Sequence, residues 1–154
     1  MPEISPRVLV VEDDDAIRTL LVAALRREPF EVDSANDGDA ALRLTRECEY
    51  AAIVLDLMMP RVNGFEFLEA FHGSQRKPRS VIFVVTAFDD VKLAKLQAKH
   101  VHAIIRKPFD VPQLITMIRE VVLLWKAHTQ DASVEALPAQ PDADDALLTA
   151  EPTN

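Results

Sequence analysis

Four short apolar runs in this sequence each give way to a residue that can do chemistry. Val8–Val11 is followed by Glu12-Asp13-Asp14, Ala51–Leu55 by Asp56, Val81–Val85 by Thr86, and Ala103–Ile105, after Arg106, by Lys107-Pro108. Carboxylates gathered in one place repel one another, so they persist together only around a cation or with raised pKa values. Hard oxygen ligands with no histidine or cysteine beside them suit Mg²⁺, which keeps several waters and takes carboxylates together with a phosphate. A carboxylate can also attack phosphorus to give an acyl phosphate. Phosphoryl transfer asks mainly for positioning and for neutralisation of the equatorial oxygens, which Mg²⁺ and a lysine supply. A threonine hydroxyl can then hydrogen-bond a phosphoryl oxygen.

These residues meet only if the apolar runs are strands of one sheet that end at the same edge. In an open parallel sheet ligands bind beyond the carboxyl ends of the strands, where the strand order reverses. The runs are nearly continuous and rich in β-branched residues, as strands covered on both faces are. A more polar run, Phe30–Ala35, completes a set of five. Between them lie amphipathic stretches at helical spacing: Ala16–Arg27, Asp37–Glu47, Gly64–His72, Asp89–Lys99 and Val111–Trp125. Asp14 or Asp15, Asp37, Asp89 and Asp110 stand at helix starts as N-caps. Five strands alternating with five helices predict an α/β protein, a doubly wound parallel sheet with helices on both faces. Capping alone does not explain the acids: Asp56 precedes LeuMetMetPro rather than a helix, and Lys107 before a proline has no capping role.

Of the 154 residues 49% are hydrophobic, enough for a real core. The net charge of −8 is unevenly placed, because all 17 lysines and arginines lie at or before Lys126 while six acids follow it. The body is therefore near neutral and carries no basic stripe, which argues against direct nucleic-acid binding. Cys48, the single cysteine, excludes an internal disulfide and reads as a small semi-buried apolar residue. No apolar stretch approaches the ~18 residues of a membrane span and no secretory signal is visible, so a cytoplasmic protein without a membrane partner is expected. Residues 1–6 read as an extension, 7–128 as the folded domain, and 129–154 as a disordered acidic tail rich in alanine and proline. Leu147-Leu148 is the tail's candidate docking motif.

In the motifs that carry these residues the chain resembles the receiver domain of bacterial two-component response regulators. The matching motifs are ValLeuValValGluAspAspAspAlaIleArg at 8–18, ValLeuAspLeuMetMetPro at 54–60, AsnGly at 63–64, ValValThrAla at 84–87 and LysProPhe at 107–109. Each is weak alone; together, in this order and spacing, they are specific. The resemblance implies a flavodoxin-like fold and a phospho-acceptor at Asp56. It implies Mg²⁺ held directly by Asp13 and Asp56, by Glu12 largely through water, and by the backbone carbonyl of Met58. Thr86, with Ala87 beside it, takes the switch and phosphate-binding position, Lys107 pairs with the acceptor or its phosphate, and Pro108 follows a cis bond. A receiver assists its own phosphorylation and dephosphorylation but is not an enzyme in the ordinary sense. The implied partners are a histidine kinase or histidine phosphotransfer protein. Output is expected from a stand-alone domain, through a downstream protein or self-association at the fourth helix, fifth strand and fifth helix.

Some positions depart from the family. Ile104 stands where many receivers carry the Tyr or Phe that turns inward on activation, and His100 where a glycine is common. Met58 and Phe88, two residues beyond Asp56 and Thr86, are large and apolar, which predicts slow loss of phosphate. His100 and His102 read as surface histidines. Consecutive Val121, Val122, Leu123, Leu124 and Trp125 encircle the last helix, so part of that surface should be exposed, for a partner, a second copy or the tail. Two other readings use the same residues. A Mg²⁺-dependent aspartyl-phosphate phosphatase wants a second carboxylate where Met58 stands, and a non-phosphorylated receiver-like scaffold would normally lack Asp56 or Lys107.

Overall fold

A computed structural model of the chain describes residues 5–59, 62–74, 80–87 and 101–135. Five parallel strands, β1 (Arg7–Val11), β2 (Glu31–Ala35), β3 (Ala52–Leu55), β4 (Val81–Thr86) and β5 (Ala103–Arg106), form one sheet in the order β2-β1-β3-β4-β5. Four helices are described: α1 (Asp15–Leu25), α2 (Gly38–Glu47), α3 (Gly64–Ser74) and α4 (Val111–Glu135). The doubly wound α/β class is as expected, and the helix expected over Asp89–Lys99 lies outside the described residues, as do Phe88, His100 and residues 136–154.

Period-two alternation in the strands builds a core on each face of the sheet. Val8, Val10, Val54, Phe83 and Val85 pack with Leu21 and Leu25 of α1 and with Leu114, Ile118 and Trp125 of α4. Leu9, Val11, Ile53, Leu55, Ile82 and Val84 point the other way, to Ala41 of α2 and Phe67, Leu68 and Phe71 of α3. The central strands are covered on both sides, hence their continuous apolar sequence. The more polar β2 is an edge strand, with Glu31 bonded to Arg7 and Asp33 accepting from Arg7 Nη1 at 3.1 Å and from the Tyr50 hydroxyl at 2.7 Å.

Helix starts follow the sequence closely. The Asp14 carboxylate accepts from Ile17 N, Asp37 from Ala40 N and Asp110 from Gln113 N, each satisfying an orphan N–H of the first turn. The end of α4 corrects the expected boundary. The helix continues past Trp125 and through 129–135, where the tail was expected to begin. No glycine or proline occurs between Gln113 and Glu135, and Thr129 Oγ1 bonds back to the Trp125 carbonyl at 2.7 Å, so the helix runs on unbroken through Glu135. Among the described residues no helix is long and apolar enough to cross a membrane.

Gly64 explains the AsnGly pair at 63–64. Its N–H donates to the Leu57 carbonyl at 3.1 Å, and a Cβ there would lie 2.6 Å from Leu57 Cα and 2.7 Å from the Asp56 carbonyl oxygen. Asn63 caps the same helix by accepting from Glu66 N at 3.0 Å. The first turn of α3 is thus seated against the segment leaving β3. Gly64→Ala is expected to lower unfolding free energy by roughly 1–3 kcal/mol, the range for overpacking a rigid contact, as read by urea denaturation. A variant as stable as the parent would show that this contact yields easily.

Candidate functional site

The strand order reverses between β1 and β3: from β1 the chain crosses to β2 on one side, and from β2 it returns past β1 to β3 on the other. Such a switch point leaves a crevice beyond the carboxyl ends of the two strands. Glu12 and Asp13 leave β1 there and Asp56 leaves β3. Backbone bonds fix the exits, Glu12 N to the Ala35 carbonyl at 3.1 Å and Asp56 N to the Val11 carbonyl at 2.9 Å.

Carboxylate oxygens of Glu12, Asp13 and Asp56 all lie within 4.8 Å of one another. Glu12 and Asp56 are buried, 2% and 3% exposed, whereas Asp13 is open to solvent. Lys107 reaches in from beyond β5, its Nζ 3.0 Å from Glu12 Oε2 and 3.3 Å from Asp56 Oδ2. Its own N–H donates to the Thr86 carbonyl at 3.0 Å, which ties the lysine to the end of β4, and the Lys107–Pro108 bond is cis. Thr86 is fully buried at that end and Ala87 just beyond it is exposed. Asp56 Oδ1 accepts from Met58 N at 3.1 Å, so this carboxylate is held at both oxygens.

Burial sets the electrostatics. It pushes Glu12 up to about 7, against the opposing hydrogen bond from Lys107 and with the help of the Asp56 charge. Asp56 is raised for the same first reason, with Met58 N and the Lys107 ammonium pulling it back. For Lys107 burial acts downward, but the two carboxylates outweigh it and hold the ammonium above its ordinary value. Two acids and one fixed cation in a half-dry crevice leave negative charge to be matched, and the donors are all oxygens. This set fits a hard divalent cation such as Mg²⁺.

Met58 stands at the mouth, 54% exposed. Ile104 lies half-buried on β5, opposite Val84, packed toward the α2 and α3 core rather than into the crevice. Arg18, to which the sequence alone assigned no role, donates from Nη1 to the Glu12 carbonyl at 3.0 Å while its Nη2 pairs with Asp15. Its place one turn into a helix capped by Asp14 was the available signal.

The family model described as response regulator receiver domain matches residues 8–119. The transcriptional regulatory protein SrrA of Staphylococcus aureus is 33% identical over 146 residues, 93% of this chain and 56% of that protein. The chain thus spans little more than half the length of the curated relatives it matches. Among solved structures, the N-terminal domain of an uncharacterized protein from Wolinella succinogenes aligns with a TM-score of 0.74 at 28% identity, over 80% of this chain and 99% of that one. The response regulator protein TrrA of Thermotoga maritima, in complex with Mg(2+)-BeF, aligns with a TM-score of 0.65 at 28% identity, over 75% and 98%.

The Glu12 shift has a direction in pH. Its folded value of about 7 exceeds the ordinary 4.5, so folded protein holds a proton that the unfolded chain releases. The stability from that proton is fully present below 4.5 and is lost as pH rises through about 7. In metal-free buffer, urea-unfolding free energy is expected to fall from pH 5 to pH 8, and Glu12→Gln to reduce the fall by roughly 1–3 kcal/mol. A pH profile as steep in the Glu12→Gln variant as in the parent would refute the assignment.

Proposed function

This chain belongs to the response regulator receiver domain family, and from that premise we propose that Asp56 accepts a phosphoryl group in a Mg²⁺-dependent phosphorelay. The observation that carries the proposal is the buried Asp56 carboxylate, clustered with Glu12 and Asp13 and 3.3 Å from the Lys107 ammonium. A nucleophilic carboxylate has to be ionised. Burial alone would favour the protonated acid, and Met58 N together with Lys107 pulls the equilibrium back toward the charged form.

In the step itself an Asp56 oxygen attacks the phosphorus of a phosphohistidine, the P–N bond breaks, and the imidazole leaves with that bonding pair. Asp56 becomes an acyl phosphate. Lys107 neutralises an equatorial oxygen and the Thr86 hydroxyl, with Ala87 N–H, hydrogen-bonds the others. Glu12, Asp13, Asp56 and the Met58 carbonyl would hold Mg²⁺, which supplies further charge neutralisation at the phosphoryl oxygens. The Mg(2+)-BeF complex of TrrA supports this assignment of the metal. The donor is a histidine kinase or histidine phosphotransfer protein, and such traffic suits a cytoplasmic domain.

Ile104 alters the output. Without a ring at this position the threonine–aromatic coupling of many receivers is absent, so phosphorylation acts through Thr86 and the β4–β5 edge on a protein partner or a second copy.

Incubation with acetyl phosphate and Mg²⁺ followed by intact-mass spectrometry is expected to show one phosphoryl adduct, absent from Asp56→Asn and strongly reduced in Lys107→Ala. No adduct in folded, Mg²⁺-binding protein, even with a kinase as donor, would favour the scaffold reading. Met58 shields the acyl phosphate without offering water a hydrogen bond. Met58→Asn is therefore expected to shorten its lifetime by roughly tenfold, about 1.4 kcal/mol in barrier, in a phosphate-release assay. An unchanged lifetime would remove Met58 from that role.

A further inference from the structure

At the end of the sheet opposite Asp56, where β4 begins, α4 leaves an open apolar groove of about 460 Å³. Val81, His102, Val121, Leu124, Trp125 and His128 line it. The buried stripe of α4, Leu114, Ile115, Ile118, Val121, Val122 and Trp125, faces the core at helical spacing, but Leu123 and Leu124 stand 60% and 63% exposed. Trp125 forms part of the wall, and its buried Nε1–H has no acceptor among the described residues. A buried donor left without a partner is costly, so this wall is incomplete as it stands.

We propose that the occupant is the chain's own C-terminal segment, with Leu147 and Leu148 seated against Leu124 and Trp125. The inference goes beyond the phosphorelay reading and does not depend on it. Nineteen residues follow the end of α4 at Glu135. Their large apolar residues are Leu137, Leu147 and Leu148. Leu137 is too close to the helix end to turn back. From Glu135 to the level of Trp125 is about 15 Å along the helix at 1.5 Å per residue. The eleven residues 136–146 span up to about 36 Å when extended, so the Leu147-Leu148 pair reaches the groove with slack for the reversal. Pro138 prevents the helix from carrying the segment onward in a straight line.

Charge favours the same pairing. Residues 136–154 contain Asp142, Asp144, Asp145 and Glu151 and no lysine or arginine, while the described lining of the groove has two imidazoles and, among the described residues, no carboxylate. The imidazole N–H groups can donate to the carboxylates that flank the leucines. Tethering converts this into an intramolecular contact at an effective concentration on the order of millimolar, so a weak contact suffices to populate it.

The test uses the full chain, with Cys48→Ala and a nitroxide on Thr149→Cys, in ¹⁵N-labelled protein. Loss of signal is expected at the amides of His102, Leu124 and His128 and at the indole of Trp125, the sole tryptophan. Adding Leu147→Asp and Leu148→Asp, substitutions outside the folded core, should restore these signals. No loss, or a loss that the leucine substitutions leave unchanged, overturns the proposal. An equal loss when nitroxide and ¹⁵N sit on separate molecules also overturns it and assigns the groove to a second copy.

Discussion

Lys107 lies between two buried carboxylates, and most of the molecule can be understood as the scaffold that keeps it there. Glu12 and Asp56 together in a low-dielectric crevice repel each other and resist ionisation; the ammonium 3.0 and 3.3 Å away offsets much of that cost. The compensation is incomplete, and both acids remain above their ordinary values. A crevice of oxygen donors left short of positive charge suits a hard cation. The burial that raises both carboxyls and the fit of the crevice to a hard cation have one cause.

Only a parallel sheet with a switch point brings these groups together. Glu12 and Asp56 are separated by 44 residues and meet because β1 and β3 are neighbours in register, Val11 opposite Leu55. Lys107 arrives from two strands away, fixed through its N–H to Thr86 at the end of β4. The packing beneath is tight where the site demands it. Gly64 lets α3 start against the Asp56–Leu57 backbone, and Arg18 bonds the Glu12 carbonyl from the first turns of α1. The fold therefore divides its labour along the strand axis: polar and closely held at the carboxyl ends, apolar and open at the beginning of β4, where α4 outruns the sheet.

Much of this was legible one residue at a time. Asp14, Asp37 and Asp110 announced helix starts because capping is local chemistry, a side chain satisfying N–H groups two or three residues away. The strands showed as apolar runs because central strands are covered on both faces. The end of α4 was not legible, since the compositional shift toward an acidic tail begins before the helix stops. Between Gln113 and Glu135 no proline or glycine interrupts the helical hydrogen bonding, whatever the charge of the side chains. Nor was the Arg7–Asp33–Tyr50 cluster, whose members share no local pattern and meet only because β1 pairs with β2 on one side and with β3, which Tyr50 precedes, on the other.

By itself the sequence determined the elements, their α/β alternation and the kinds of group at each strand end, because periodicity, capping and side-chain chemistry depend on near neighbours. Tertiary structure decided which of those groups are buried and which share charge. It put Asp13 in solvent but Glu12, its neighbour, in the crevice, turned Ile104 toward the α2 and α3 core, and left Leu123 and Leu124 exposed beside a buried Trp125. Burial and pKa depend on what the rest of the chain places within a few ångströms, and contacts between distant segments set that distance.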